Sequence, residues 1–154
     1  MSAKDVNKIN RDYSKLAPFF SEKLRLAIQE CNEAGLNVAL FEGLRSPDRQ
    51  DFLFGQGRTR EGNKVTNAMG WQSWHQYGVA ADLCFKENGN WTWKKGQPWD
   101  QVHAIFHKHG FETLKFEKAH VQITGGMSVR KAMTIAQKDG LLALWSIIQS
   151  GVLF

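Results

Sequence analysis

The apolar residues of this chain fall into short segments that alternate between helical and strand-like periodicity. In residues 18–35 they recur at three- and four-residue steps, which predicts an amphipathic helix capped by Ser21 and stopped by Gly35. Residues 36–44 are apolar, short and partly β-branched, a composition typical of a strand. A chain in which both periodicities follow each other so closely is expected to fold as a mixed domain of helices and strands.

The same alternation continues to the end of the chain. Further helices are predicted over residues 48–54, 99–109 and 128–138. Further strands are predicted over residues 78–85 and around residues 120–123. A hairpin that turns at Asn88-Gly89 is predicted over residues 86–96, and a long irregular connection over residues 55–70. The order of elements indicates an α+β fold with a small, mostly antiparallel sheet flanked by helices.

Size and composition place the chain among ordinary globular domains. Its 154 residues suit one domain, which buries roughly two-thirds of the surface of the unfolded chain. The hydrophobic share of 42% and the charged share of 23% exclude a disordered chain or a fibrous repeat. The net charge of +5 favours anionic polymers such as nucleic acid or bacterial wall glycopolymers, but the sequence has no run of five basic residues. We therefore expect no nucleic-acid partner.

The two ends of the chain carry separate expectations. The first twenty residues lack the apolar core of about 7–15 residues that a signal peptide needs, which predicts synthesis and folding in a cytoplasm. Residues 141–151 are apolar but fall short of the roughly 20 residues that span a bilayer, so no transmembrane segment is expected. This segment packs on the domain or another subunit, or else contacts a membrane surface or a partner. We expect residues 1–127 to form the main domain of a monomer, with residues 128–154 as a helical segment packed on it.

Three residues have the chemistry and the placement of metal ligands. His75 lies in a turn, and Asp82 lies on the strand that follows it. Imidazole nitrogen and carboxylate oxygen both bind Zn²⁺, and a catalytic zinc site uses three protein ligands while leaving one position open. His120 is the best third ligand, because its strand could neighbour the strand of Asp82. Taken singly, each of the three also fits a structural role, as a loop histidine, a turn cap or a core histidine.

A carboxylate beside these ligands would complete a hydrolytic site. Glu117 lies three residues before His120. A carboxylate in such a place can take a proton from an attacking water molecule and later pass it to the leaving amine. Two histidines, one aspartate and a further glutamate therefore form a complete set for metal-assisted hydrolysis.

Other side chains could bind a metal or a sugar, but structural roles explain most of them better. His103, His107 and His109 are expected on a solvated helix face, because the glutamate of an HExxH motif is missing. Cys31 is expected in the core and Cys84 in packing beside the site, although one disulfide remains open. Five tryptophans are divided between the core and a stacking rim, with no individual assignment: Trp71, Trp74, Trp91, Trp93 and Trp99.

Two motifs carry a resemblance to a known family. The pattern SxHxxGxAxD is formed by Ser73, His75, Gly78, Ala80 and Asp82. The pattern ExxH is formed by Glu117 and His120. Together they resemble the zinc metallopeptidase family of D-alanyl-D-alanine carboxypeptidases and dipeptidases. Upstream segments are similar to its L-alanyl-D-glutamate endopeptidase branch, which includes phage endolysins, and the resemblance covers roughly residues 13–124: Glu42-Gly43-Leu44-Arg45-Ser46, Arg49-Gln50, Gly57-Arg58-Thr59 and Val65-Thr66-Asn67-Ala68.

The resemblance implies a role for each residue of the site. The fold would be that of the D-Ala-D-Ala peptidases and the Hedgehog signalling domains. One Zn²⁺ would be held by His75, Asp82 and His120. Glu117 would be the general base and acid, and Arg45 would stabilise the oxyanion at the scissile carbonyl. Ser73 and Gln50 would orient the site or the substrate. The chain departs from the family in having Ala119 where proline is frequent, and Glu117 where this branch often has aspartate.

The function that the resemblance implies is cleavage of the L-alanyl-D-glutamate bond in peptidoglycan peptides, after release of the protein from a host cytoplasm by a phage or prophage. A D-Ala-D-Ala carboxypeptidase or dipeptidase of the same family is the nearest alternative. A zinc-containing wall-binding module without activity is an alternative of a different class. Glu117 argues against such a module, because binding alone needs no base beside the metal.

Overall fold

A computed structural model of the chain describes residues 5–151, and of Asp5 the backbone alone. After two short 3-10 turns, this part of the chain forms five α-helices: α1 (Pro18–Glu33), α2 (Pro47–Gly55), α3 (Trp99–Lys108), α4 (Val129–Asp139) and α5 (Leu141–Gln149). The same part forms five strands: β1 (Val38–Glu42), β2 (Ala80–Glu87), β3 (Asn90–Thr92), β4 (Glu112–Thr113) and β5 (His120–Gln122). The predicted α+β class is confirmed.

The strands form one antiparallel sheet in the order β1-β2-β5-β4, and β3 pairs with the second half of β2. The register is important for the site. Asp82 of β2 is paired with Glu42 of β1 on one side and with His120 of β5 on the other. A shift of register between Leu40 and Glu42 marks an irregularity in β1 just before this level. Three strands therefore bring two acidic side chains and one imidazole to the same level of the sheet.

Helix α1 packs on the sheet through an apolar stripe of four fully buried residues: Phe20, Leu24, Ala27 and Cys31. The prediction that Ser21 caps this helix is wrong. The helix begins at Pro18, whose fixed φ suits the first helical position and whose missing N–H needs no partner there. Ser21 instead donates its backbone N–H to Ala17 within the first turn.

The hairpin between β2 and β3 turns as the sequence predicts. Asn88 and Gly89 adopt φ values of 53° and 80°, the pair of positive values that a type I′ turn requires. The sequence gives no sign of β4, because a strand of two residues is too short for alternation to be visible. The irregular connection predicted over residues 55–70 is confirmed, with one isolated bridge between Gln56 and Arg60.

The two C-terminal helices share the core of the domain. Ser128 caps α4 by accepting a hydrogen bond from Lys131 N, and Gly140 separates α4 from α5. Leu144 and Ile148 of α5 are buried in the main core cluster. Within residues 5–151, no helix has both the length and the apolar character needed to cross a bilayer.

Both cysteines are buried and free, so the disulfide that the sequence left open does not form. Burial raises the pKa of the Cys31 thiol to about 11, and the nearby carboxylate of Glu30 adds to the shift. The thiol is therefore protonated at neutral pH and unreactive, as expected of a core residue.

Candidate metal centre

A short 3-10 helix, Trp74–Tyr77, presents His75 at the end of the sheet. Ser73 caps this helix: its Oγ accepts a hydrogen bond from the N–H of His75, and its own N–H donates to the Gln76 side chain. Gly78 follows with φ of 73°, and a Cβ there would lie 3.3 Å from the backbone nitrogen of Ala17. Glycine is therefore required for the chain to turn into β2, where Asp82 is found.

The three predicted ligands meet at this point. His75 Nε2 and His120 Nδ1 each lie 3.3 Å from Asp82 Oδ1, and all three ligand atoms lie within 4.8 Å of one another. A tetrahedral ion with bonds of about 2.0–2.2 Å holds its ligand atoms about 3.3–3.6 Å apart. The two shortest separations in this cluster match that value, so the residues fit a zinc-sized ion.

Hydrogen bonds on the outer side of each imidazole fix its tautomer. His75 Nδ1 lies 2.8 Å from the carbonyl oxygen of Gly43, which can only accept. His120 Nε2 lies 2.7 Å from Oε1 of Gln122. A neutral imidazole has one N–H and one lone pair, so the nitrogen that faces inward carries the lone pair in both rings. Two lone pairs and a carboxylate oxygen then converge, an arrangement that needs a cation or added protons between them.

The pKa values of the cluster reflect the same mutual attraction. Burial alone would raise the pKa of Asp82, but the rings of His75 and His120 hold it well below its ordinary value. Burial alone would lower the pKa of His120, but the Asp82 carboxylate beside it raises that pKa above its ordinary value. The cluster therefore combines an ionised carboxylate with imidazoles that attract positive charge.

Arg45 lies behind Asp82 in a network of buried charges. Its Nη2 donates to Asp82 Oδ2 at 3.2 Å and to Glu42 Oε1 at 2.9 Å, so that Oδ1 of Asp82 is left to face the histidines. Glu42 is also paired with Arg49, at 2.5 Å from its Nε. Arg45 Nε is buried without a hydrogen-bond partner within residues 5–151. Arg45 thus orients Asp82, and its guanidinium forms part of the cleft wall.

Gln50 and Ser73 hold the site in place. Gln50 is fully buried, and its Oε1 accepts hydrogen bonds from Arg45 and Gln76. Its Nε2 donates to Thr66 Oγ1 and to the carbonyl of Ala68. Of the two roles expected for Gln50, orienting the site therefore fits its burial, whereas contact with a substrate does not. Ser73 lines the cleft directly and also caps the helix of His75.

The ligand cluster lies in an open cleft of about 350 Å³. Its lining includes residues 65–68 and 72–74, together with Leu114 and Glu117. The Glu117 side chain is 63% exposed, and its Oε2 lies 4.0 Å from His120 Nδ1. An exposed carboxylate thus borders the metal position, where a proton acceptor would be needed for hydrolysis.

The other potential metal ligands have different partners. His103 Nε2 contacts the carbonyl of Lys118, His107 Nε2 contacts Thr113, and His109 is paired with Glu30. We expected these histidines to lie on a solvated helix face. Each of them also has a hydrogen-bond partner within the protein. Cys84 is not in the ligand cluster, and its thiol donates to the carbonyl of Thr92.

The tryptophans are divided, as expected, and the structure now assigns them. Trp74 is buried and lines the cleft. Trp71 and Trp93 are 44% and 56% exposed, and neither lines the cleft. Trp91 and Trp99 are half-buried, in ring contacts with Phe41 and Phe85 respectively. A single stacking rim around the metal position is therefore not formed by these five rings.

Sequence reasoning missed the roles of Gln122 and Glu112. Gln122 lies two residues after His120 on the same strand, and its amide accepts the imidazole N–H. That spacing places both side chains on one face of β5, so alternation could have indicated the contact. Glu112 lies on β4, which the sequence did not predict, and it reaches the Gln122 amide from there.

Comparisons with known proteins identify the family of the chain. The family model described as VanY, D-alanyl-D-alanine carboxypeptidase, matches residues 13–128. The peptidoglycan L-alanyl-D-glutamate endopeptidase CwlK of Bacillus subtilis (strain 168) is 47% identical over 60 residues, which are 38% of this chain and 36% of CwlK. The chain thus matches about a third of the length of that relative.

Two solved structures resemble this chain to different degrees, and the first is similar in fold. The LdcB LD-carboxypeptidase superposes with a TM-score of 0.59 at 20% identity, covering 91% of this chain and 73% of LdcB. The L-Ala D-Glu endopeptidase ChiX of Serratia marcescens has a TM-score of 0.47 at 20% identity, covering 79% of this chain and 84% of ChiX. The family resemblance found in the sequence is confirmed: the family model covers most of the chain, which therefore belongs to the VanY family of D-alanyl-D-alanine carboxypeptidases.

Proposed function

We propose that this protein is a zinc-dependent endopeptidase that hydrolyses the L-alanyl-D-glutamate bond of peptidoglycan peptides. The observation that carries the proposal is the convergence of His75 Nε2, Asp82 Oδ1 and His120 Nδ1 on one point in an open cleft, with Glu117 at its edge. The choice of bond rests on the identity to CwlK, a protein named for that specificity. The proposed place of action is the cell wall, and a phage or prophage source stays a prediction.

The ligand set favours zinc among the divalent ions. Two neutral imidazoles and one carboxylate form a typical catalytic zinc site, in which one position stays open. Zinc held there would polarise the scissile carbonyl and bring the pKa of a bound water molecule toward about 7. His75, Asp82 and His120 would supply the ligand atoms, and the outer hydrogen bonds to Gly43 and Gln122 would keep the rings in place.

Glu117 and Arg45 would perform the remaining steps. The Glu117 carboxylate, exposed to the cleft, would take a proton from the attacking water and pass it to the leaving amine. Glu117 lies in the β4–β5 connection, and its side chain is longer than that of the aspartate that is frequent in this branch of the family. Either carboxylate could perform the same proton transfer. Arg45 would place a fixed positive charge where the carbonyl oxygen becomes negative.

A D-Ala-D-Ala carboxypeptidase is the second candidate function, because the matching family model is described by that activity. Both activities would use the same ligands and the same base, and they differ in the peptide bond that the cleft selects. The products therefore distinguish them. An endopeptidase releases peptides that begin at D-glutamate, whereas a carboxypeptidase releases free D-alanine.

The test is mass spectrometry of purified peptidoglycan after digestion with the protein, with and without a chelator. The Glu117→Ala variant is compared with Glu22→Ala, a matched control on the exposed side of α1, away from the cleft. We expect chelator-sensitive release of peptides that begin at D-glutamate, lost in Glu117→Ala and kept in Glu22→Ala. Free D-alanine instead would establish the carboxypeptidase. Bound zinc without any cleavage would show a binding module and refute the proposal.

A further inference from the structure

The two histidine ligands are held by different kinds of partner. His75 donates its Nδ1–H to the backbone carbonyl of Gly43, which can only accept hydrogen bonds. His120 donates its Nε2–H to a side-chain amide, that of Gln122, at 2.7 Å. An amide can present either its oxygen or its NH₂ group, depending on how the group is turned. The tautomer of His120 therefore depends on the orientation of the Gln122 amide.

Glu112 determines that orientation. Gln122 Nε2 donates to Glu112 Oε1 at 3.4 Å, across the register that pairs these two residues in β4 and β5. If the amide were turned over, its oxygen would face the Glu112 carboxylate and its NH₂ group would face His120. The contact between the amide oxygen and the Glu112 carboxylate would then place two acceptors together. The carboxylate thus directs the amide oxygen of Gln122 toward His120.

Thr124 in turn holds Glu112. Its backbone N–H donates to Glu112 Oε2 at 2.8 Å, and its hydroxyl donates to Oε1 at 2.7 Å. Thr124 is 2% exposed, so these bonds are protected from water. Glu112 thus accepts hydrogen bonds from Thr124 on one side and from Gln122 on the other. The Gln122 amide, fixed in this way, presents its oxygen to His120.

We infer that Gln122 and Glu112 are positioning residues that hold His120 in the tautomer whose Nδ1 lone pair faces Asp82. The inference concerns the proposed metal site itself, and it rests on the proposed function for the identity of the ion. The tautomer of the metal-free protein does not depend on that identity. Partners of this kind typically change metal affinity by about 10- to 100-fold when they are removed.

The first measurement is the tautomer of His120, read from its imidazole nitrogen shifts by NMR in the metal-free full chain at a pH where the ring is neutral. Circular dichroism confirms that each variant is folded. Gln122→Leu removes the acceptor, and Gln101→Ala is a matched control on the exposed face of α3. We expect a pure Nε2–H form in the native protein and in Gln101→Ala, and a mixture of tautomers in Gln122→Leu.

The second measurement is zinc affinity, from competition with a chromophoric chelator. We expect Gln122→Leu to weaken zinc binding by about 10- to 100-fold, and Glu112→Gln by a smaller factor. Because Glu112 acts through Gln122, Glu112→Gln should have no added effect in the Gln122→Leu background. A folded Gln122→Leu protein with one tautomer and native zinc affinity would overturn the inference. Failure of the native protein to bind zinc or cleave peptidoglycan would instead overturn the proposed function.

Discussion

The metal site has two walls that are built in opposite ways. In the buried wall, which consists of β1, α2 and the 3-10 helix of His75, Glu42 lies between two arginines and Gln50 is completely enclosed. On the wall of the β4–β5 connection, Glu117 is mostly exposed, and Phe116 beside it is 98% exposed. Removing a buried, paired charge leaves its partners without compensation, whereas an exposed side chain has water as an alternative. Substitutions in the buried wall should therefore lower the free energy of unfolding, whereas substitutions in the exposed wall should change the catalytic rate.

The same substitution on both walls gives the largest expected difference. Glu42→Ala leaves the guanidinium group of Arg49 in a buried position without its carboxylate, and it leaves Arg45 with Asp82 alone. We expect a loss of about 3–5 kcal/mol in the free energy of unfolding. Glu117→Ala removes an exposed side chain and should change that free energy by less than about 0.5 kcal/mol. Urea denaturation of both variants measures the two values.

Equal losses of stability in Glu42→Ala and Glu117→Ala would break the comparison. A Glu42→Gln variant distinguishes charge from hydrogen bonding, because the amide oxygen can still accept from one arginine. Its loss of stability should lie between the native protein and Glu42→Ala.

The turn between His75 and Asp82 is the next most sensitive point of the buried wall. Gly78→Ala places a Cβ at positive φ, 3.2 Å from Trp145 and 3.3 Å from the backbone of Ala17. We expect a loss of about 1–3 kcal/mol in the free energy of unfolding, from backbone strain and crowding together. Gly89→Ala is the matched control, because Gly89 also has positive φ but has no atom within 4 Å of its Cβ position. Its loss should be limited to about 1 kcal/mol of backbone strain.

Helix α5 supports the same wall from behind, although it lies beyond the residues matched by the family model. Trp145 Nε1 donates to the carbonyl of Tyr77, at the end of the 3-10 helix that carries His75. Trp145→Phe should lower the free energy of unfolding by about 1 kcal/mol, since one partly buried hydrogen bond is lost. Trp93→Phe, at an exposed position, should change it by less than about 0.5 kcal/mol. Similar losses in both variants would show that α5 does not support the site.

Local sequence signals were sufficient for most of the elements and for the ligand types. The strand of Asp82, the turn at Asn88-Gly89 and the cap at Ser128 were visible because each depends on a few neighbouring residues. The resemblance of the motifs then identified His75 and His120 as partners. Their meeting in the structure depends on the pairing of β2 with β5, which no local pattern determines.

Contacts that depend on how the chain turns between elements were beyond the sequence patterns. Arg45 and Arg49 follow Glu42 closely in the sequence, but they enclose its carboxylate only because the chain turns back from β1 into α2, which no periodicity shows. Glu112 could not be assigned because β4 is too short to show alternation. The Ser21 cap was wrong because a proline three residues earlier provides a better start to the helix.

The smallest expected effect concerns the acid sensitivity of the buried wall. Burial alone would raise the pKa of Glu42, but its hydrogen bonds and charge contacts with Arg49 and Arg45 lower it below the ordinary value near 4.5. A lowered folded-state pKa means that the unfolded chain binds the proton more readily. The stabilisation that ionised Glu42 contributes is therefore complete at pH values above its ordinary pKa, and it is lost as pH falls through the folded-state pKa. The free energy of unfolding, obtained from urea denaturation at pH values from 6 downward, should fall less steeply in Glu42→Gln than in the native protein, by a fraction of the about 1.4 kcal/mol per pH unit that one proton can contribute. An unchanged slope in Glu42→Gln would mean that the acid response does not originate in the buried wall.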